Sequence, residues 1–533
     1  MQRANGATLQ ANRHYFGDNA RNEVLSLFYP AEMSLLSQRD RRRTSALLDR
    51  RILVGAATYA YANRAASFII SFGSLAVMAR LLTPHDFGLV AMVTTFTGLL
   101  TSLRDSGLSS AAIQSKDLPL ADRNALFWYN AGLSVLASTL VLLAAPLVSQ
   151  FYREDDLKPL LYLTSFGLLA SGIGTIHAAI LRRDFNLKGV FFAEIGGLAV
   201  GAIVSVLLAY FTRSALSVVI GAALQAIATS AIAILFGRWV PKIDTTSRLG
   251  FQYLLFGFRV SAYAILNFIT NNIGSVAVGY QSGSTAMGAF NRAQALYGMP
   301  VSFVLNPYLQ VQFPLLCRVR GDVDHTRKIY GDLLVLTSTL FVPLAVLLPF
   351  IAVAATTLVL GNQWTAAGQI LAWLSPSLAA LGLMGPFGQF MMSQGRVKEL
   401  QWWGFADVGL RGGGAVIGSF FSPTAAAAGF SFATLLIAVP IMVWITQRDG
   451  IFCFKDYARA CFPGILIALM VGVTALAVSR FASGNSFGPF AEALMVLSAS
   501  LVPWVALAAA VHLSPIKLYF LPGYQKDTDS FEH

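Results

Sequence analysis

One length recurs along almost the whole of this chain and limits what it can fold into. Apolar runs follow one another, each near the roughly 20 residues that carry an α-helix across a bilayer. We place fourteen of them: 58–80, 86–109, 124–149, 157–180, 189–211, 215–237, 251–279, 285–313, 329–351, 364–392, 400–420, 423–446, 458–480 and 489–512. The runs are continuous and lack the alternation about every ten residues of a membrane β-barrel. Composition agrees, with a mean hydropathy of +0.62. Charged residues make up only 12%, about half the soluble-protein average. The sequence predicts an all-α polytopic membrane protein.

The net charge of +12 suggests a nucleic-acid partner until the positions are read. Lys and Arg concentrate in loops of one parity: Arg182/Arg183/Lys188, Arg238/Lys242/Arg248, Arg318/Arg320/Arg327/Lys328, Arg396/Lys398 and Arg448/Lys455/Arg459. On the other side we find Arg80, Arg153, Lys158, Arg213 and Arg480. A bias of this kind sets topology and places the basic loops and both termini in the cytoplasm, with no role for nucleic acid. Residues 1–51 read as a basic, disordered cytoplasmic tail and 513–533 as a second tail. Cys317, Cys453 and Cys461 form no metal-binding or disulfide pattern.

An internal repeat divides the spans. Gly73-Ser-Leu-Ala-Val returns as Gly274-Ser-Val-Ala-Val, and each is followed by a short turn and a glycine, Gly88 or Gly288. Leu181 to Glu194 is paralleled by the stretch from Arg396 to Asp407. Two six-helix halves, 58–237 and 251–446, follow, with 458–512 as two additional helices. Repeats of this kind frame a central site in transporters.

Polar stripes mark where such a site would lie. Arg259, Tyr263, Asn267, Thr270, Asn271 and Gly274 share one helical face. Tyr59, Asn63, Ser67, Ser71 and Ser74 share another, with Arg64 at its edge, and Thr94, Thr97, Thr101 and Asp105 form a third. Lipid satisfies none of these groups, so the stripes are expected to face protein or a water-filled cavity.

The stretch Ala79-Arg-Leu-Leu-Thr-Pro-His-Asp-Phe-Gly88 resembles the signature of the polysaccharide transporter family, the Wzx-type flippases. Asp105-Ser-Gly-Leu-Ser-Ser-Ala-Ala-Ile-Gln114 is similar to that family's next element. The second half agrees through Phe256-Gly257, Gly288-Ala-Phe-Asn-Arg-Ala293, Pro300, Pro314, Pro343, Gly361-Asn-Gln-Trp364 and Gly395-Arg396. The resemblance runs from about Thr58 to Trp444. The family sits in a superfamily with multidrug exporters and the lipid II flippase. It implies two bundles in a V around a central cavity, working by alternating access. It implies an inner-membrane protein that moves polyprenyl-pyrophosphate-linked oligosaccharide from the cytoplasmic to the periplasmic leaflet. A polysaccharide polymerase and a chain-length regulator are the implied protein partners. Coupling is left to a proton gradient, a sodium gradient or the membrane potential, with no cofactor. Many members of the family carry an Asp in the region of Asn271 to Gly274. This stretch is neutral here, which argues against proton coupling at that spot.

Such a cargo has an anionic end and a sugar end. Guanidinium groups suit pyrophosphate, so Arg64, Arg259 and Arg292 are candidates for it. Asn63, Tyr263, Asn267, Asn271, Asn291, Gln294 and Tyr297 are candidates for the sugars. Arg104 and Asp105 are read as a gate or structural pair. Asp407 and Arg411, four apart on one helix, are read as an internal ion pair. Arg80 and Asp86, around Pro84, are expected to be structural, and His177 to be packed. A multidrug exporter of the same fold is the nearer alternative. A membrane polymerase or glycosyltransferase is the more distant one, since the non-cytoplasmic loops are too short to house an active site.

Overall fold

The computed structural model describes residues 59, 62–114, 118–243, 250–448, 450–485 and 488–520, without side chains at 105–107, 110–111, 114, 250–264, 307, 310–311, 397, 483 and 510–520. The chain clusters into two compact units, Met1–Ala66 and Ser67 onward. The basic tail 1–51 lies outside the described residues.

All regular structure among the described residues is helical. Helix α1 (Ala62–Leu81) passes from the first unit into the second. It is followed by α2 (Pro84–Gln114), α3 (Leu120–Tyr152), α4 (Leu157–Arg183), α5 (Leu187–Thr212) and α6 (Leu216–Gly237). The long α7 (Gly250–Pro300) leads through a π turn into α8 (Asn306–Arg318). Next come α9 (Val323–Leu360), α10 (Thr365–Leu374), α11 (Pro376–Ser393) and α12 (Val397–Asp407). A second π turn, Val408–Gly412, joins α12 to α13 (Gly413–Ser419). The described residues end with α14 (Pro423–Ala433), α15 (Val439–Gln447), α16 (Phe454–Gly484) and α17 (Pro489–Phe520), the last running beyond the expected end at 512.

Among the described residues ten helices are long and apolar enough to span a membrane. They become eleven if Asn362–Leu374 and α11, bent by 53°, make one span. The expected spans outside that set are 251–279, 285–313 and 400–420. The first two run on as α7 and α8, broken at Gly283, whose φ of 81° and ψ of −178° suit only glycine. The third is α12, the π turn and α13. These three segments supply polar side chains to a common cavity.

The repeated glycines meet each other. A Cβ on Gly88 of α2 would lie 1.8 Å from the Ser284 carbonyl oxygen, and one on Gly288 of α7 would lie 2.0 Å from the Pro84 carbonyl oxygen. The contact is reciprocal, residue 84 facing 288 and 88 facing 284, and only glycine permits it. The neighbouring signature residues tighten this corner. Gln363 Nε2 donates to the carbonyls of Ala79 (2.5 Å) and Leu82 (3.0 Å), and Trp364 Nε1 donates to Ala79 (2.8 Å). Arg80 donates to the Leu358 carbonyl at 2.9 Å. Asp86 accepts from the Thr83 amide and hydroxyl and from the Ala215 amide. Arg80 and Asp86 are structural, as the sequence suggested, but each holds a different neighbour.

Helices α2 to α6 close many of their polar groups on one another. Asn130 Nδ2 donates to the Gly172 carbonyl at 2.6 Å, Ser138 Oγ to Ser165 at 2.8 Å and Ser230 Oγ to Ala170 at 2.7 Å. His177 is packed as expected, its ring nitrogens within 3.1 Å of the Ile173 carbonyl and 3.2 Å of the Trp239 carbonyl. Arg182 pairs with Glu194 at 2.6 Å.

Candidate functional site

The polar cavity has a volume of about 650 Å³. Helix α7 contributes Asn267, Asn271, Asn272, Asn291, Gln294 and Tyr297, and the following π turn and α8 add Ser302 and Asn306. Helix α11 contributes Gln389. Trp403 and Asp407 come from α12, Arg411 from the π turn after it and Phe430 from α14. Pro300, with no amide to donate, opens the π turn at Val301–Leu305. Two π turns therefore border this cavity, a placement typical of functional sites.

The amides are held in place by one another. Asn271 Nδ2 donates to Asn267 Oδ1 at 3.0 Å and to the Asn267 carbonyl at 2.8 Å. Gln294 Nε2 donates to the Asn271 carbonyl at 3.0 Å, and Gln294 Oε1 accepts from Ser275 Oγ at 2.7 Å. That bridge ties the two arms of α7 across the break at Gly283. Tyr297 Oη accepts from Ser377 Oγ at 2.8 Å. Arg411 Nε donates to Asp407 Oδ1 at 2.5 Å, and Nη2 donates to the other carboxylate oxygen. The guanidinium carbon lies 5.4 Å from the centre of the Phe430 ring. Asp407 and Arg411 are 4% and 6% exposed. They are the charged members of an otherwise neutral described lining.

The structure brings together Asn267, Asn271, Asn291, Gln294, Tyr297, Asp407 and Arg411 of the sequence candidates. Arg292 departs from its expected place in the cavity. Its guanidinium stacks on Phe87, 4.6 Å from the ring centre, and donates from Nη2 to Asn291 Oδ1 at 2.6 Å. One residue further along α7 turns the side chain by about 100°, away from the cavity face. Arg104 is buried in α2 and bonds through Nη1 to the Leu168 carbonyl and Ser171 Oγ of α4, both at 2.8 Å. Its described contacts are structural. Thr94, Thr97 and Thr101 line a separate void of about 190 Å³ between α2, α4 and α6. Asn63 and Arg64 belong to the unit Met1–Ala66. The side chains of Arg259, Tyr263 and Asp105 lie outside the described residues.

Sequence reasoning missed Asn272, Ser302, Asn306, Gln389 and Trp403. The signal for Gln389 was a lone amide in an apolar run, and for Trp403 an indole pair beside charged residues. A second cavity of about 530 Å³ is almost wholly apolar, lined by residues including Phe96, Leu99, Leu147, Phe151, Phe268 and Ile273. Asn272 borders both cavities.

Solved structures share the fold. The lipid II flippase MurJ in an inward closed conformation superposes with a TM-score of 0.69, at 13% identity, over 87% of this chain and all of MurJ. An inward-facing multidrug resistance MATE transporter of the MOP superfamily gives 0.54, at 14% identity, over 72% of this chain and 95% of its own. The fold matches that of these two polytopic transporters.

The profile of a family described as "Polysaccharide biosynthesis protein" matches residues 77–369, more than half of the chain, and the protein belongs to that family. The lipopolysaccharide biosynthesis protein WzxC of Escherichia coli is 23% identical over 334 residues, 62% of this chain and 68% of WzxC. The succinoglycan biosynthesis transport protein ExoT of Rhizobium meliloti is 24% identical over 366 residues, 67% of this chain and 73% of ExoT. The teichuronic acid biosynthesis protein TuaB of Bacillus subtilis is 23% identical over 440 residues, 81% of this chain and 89% of TuaB.

Proposed function

We propose that this protein is a secondary transporter that flips lipid-linked oligosaccharide from the cytoplasmic to the periplasmic leaflet for exopolysaccharide, capsule or O-antigen synthesis. The observation that carries the reading is the 650 Å³ cavity lined by amides, hydroxyls and aromatic rings, in a multi-pass member of a polysaccharide biosynthesis family. Amides and hydroxyls match sugar hydroxyls as donors and acceptors, while Tyr297, Trp403 and Phe430 offer apolar faces to sugar rings. The MurJ-like fold supports transport of a lipid-linked cargo, and the names of the relatives tie that cargo to polysaccharide assembly. Alternating access then proceeds by separation of the corner at Gly88 and Gly288. The basic loops face the cytoplasm and both termini lie there.

The test is depletion of the protein in its host. Lipid-linked repeat units should accumulate on the cytoplasmic leaflet while sugar synthesis continues. Normal surface polymer in a deletion strain that has no redundant exporter would refute the reading. Sidedness is tested separately: an impermeant thiol reagent applied to intact cells should modify Ser282→Cys and spare Lys188→Cys.

A further inference from the structure

The Asp407–Arg411 pair is oddly placed for a structural brace. Its members lie one turn apart in the same stretch of chain, across the junction of α12 and the π turn, so their mutual bonds tie no two helices together. Withdrawing both charges from water nevertheless costs several kcal/mol per ion before their attraction is counted. Apolar residues of similar size would line the cavity without that penalty. What the pair does achieve is to keep an arginine on the wall of a membrane cavity at no net charge. The cation can neither trap a passing anion too tightly nor stand uncompensated between transport events.

We infer that Asp407 is an exchangeable counter-ion: an oxyanion of the cargo takes its place on Arg411 during transport, and the carboxylate returns when the cargo leaves. The inference rests on the cargo-binding reading of the cavity. The guanidinium holds both carboxylate oxygens through two neighbouring nitrogens, and that same planar fork accepts a phosphate or a sugar carboxylate. The Phe430 ring beneath the guanidinium keeps the fork in plane while partners change. Exchange lowers affinity by the work of parting the internal pair, and lets the cargo go once the site opens to the other side. Oxyanions are then favoured over neutral heads, since a neutral head cannot replace Asp407.

The experiment uses the purified full chain in lipid nanodiscs and three probes sharing one farnesyl tail: the pyrophosphate, the β-glucuronide and the neutral β-glucoside. Titration calorimetry gives the affinities of wild type, Asp407→Asn, Arg411→Gln, Arg411→Lys and the double variant Asp407→Asn/Arg411→Gln. Asp407→Asn should bind an anionic probe about tenfold tighter or more, the worth of a charge-assisted bond, with the glucoside unchanged. Arg411→Gln and the double variant should lose the preference for anions, and Arg411→Lys should keep only part of it. Tightening with the pyrophosphate alone assigns the oxyanion to the lipid phosphate, and with the glucuronide alone to an acidic sugar. Asp407→Asn binding no tighter than wild type, in protein that elutes and melts normally, overturns the inference. Should Asp407→Asn fail to fold, the double variant carries the decision: undiminished anion preference there overturns it. A wild type that binds none of the three probes sinks the cargo reading instead.

Discussion

Helices α2 to α6 and the cavity segments α7, α8 and α11 to α13 both carry polar residues through a membrane, and they treat them in opposite ways. In the first region Arg104, Asn130, Ser138 and Ser230 bond to backbone carbonyls of neighbouring helices, joining helix to helix. In the second region several polar groups bond within their own segment, Asn271 to Asn267 and Arg411 to Asp407, along the wall of the polar cavity, where the two asparagines are exposed and the ion pair is buried. Polarity inside a membrane protein thus has two uses, and the partner tells them apart. A cross-helix partner ties the residue into the scaffold, and Tyr297, held by Ser377 of α11, is tied in this way while lining the cavity. A partner on the same segment ties no second helix, which is how Asn271 stays exposed on the cavity wall.

Paired glycines give the sharpest way to break this distinction. A Cβ on Gly172 in α4 would lie 1.9 Å from Ser134 Oγ, whereas one on Gly298, on the cavity wall, meets nothing within 4 Å. Gly172→Ala is expected to destabilise the protein toward the upper end of about 1–3 kcal/mol. Gly298→Ala should fold normally, helped by helix propensity of up to about 1 kcal/mol, while impeding export. Fluorescence-detected thermal unfolding beside a surface-polymer assay measures both. Equal losses of stability would erase the distinction.

Removing a polar group should show the same contrast with smaller effects. Arg104→Met removes the cross-helix donor to the Leu168 carbonyl and Ser171 Oγ, leaving the bond between those two, and is expected to cost about 2 kcal/mol and to lower abundance. Asn271→Ala should leave the melting point within experimental error and reduce export severalfold at matched protein level. A normally exporting Asn271→Ala would withdraw this face of α7 from transport.

The smallest effect lies in neither region. Asp322 caps α9, accepting from the His325 amide at 3.1 Å, and that bond together with the His325 ring holds its carboxyl below the usual 3.8. A carboxyl lowered in the native state stabilises above its unfolded value and ceases to do so as pH falls through the native one. Asp322→Ala should therefore lower the melting temperature slightly at pH 7, and the difference should shrink and vanish as pH falls through the native value. A gap of equal size at both ends would mean that the capping charge plays no part.

Much of this was readable from the residues alone. The 3.6-residue period put Asn267 and Asn271 on one face, and the glycine spacing revealed the repeat. Periodicity names a face but not what that face meets. Thr94, Thr97 and Thr101 formed as clean a stripe as Asn267 and Asn271, yet they line a void of their own region. Arg292 adjoins two cavity residues in sequence and turns to Phe87. Gln389 and Trp403 join the site only because α11 folds back onto α8 and α12 onto α7, and no local pattern encodes that return. The polar cavity also made its own walls difficult to recognise by hydropathy, since α7, α8 and the α12–α13 segment are the expected spans that fall short of it.

The corner where Gly88 meets Ser284 and Gly288 meets Pro84 is built from main chain. Beside it Arg292 of α7 stacks on Phe87 of α2, so parting the two helices would also break that side-chain contact. Seated, the corner fits carbonyls where a methyl group cannot go, the kind of tight contact that shifts between discrete arrangements and does not deform gradually. Duplication also gives it a mirrored half, so a side chain introduced at either glycine pries open both. The closeness of the seated contact is set by two hydrogen atoms, one on each glycine.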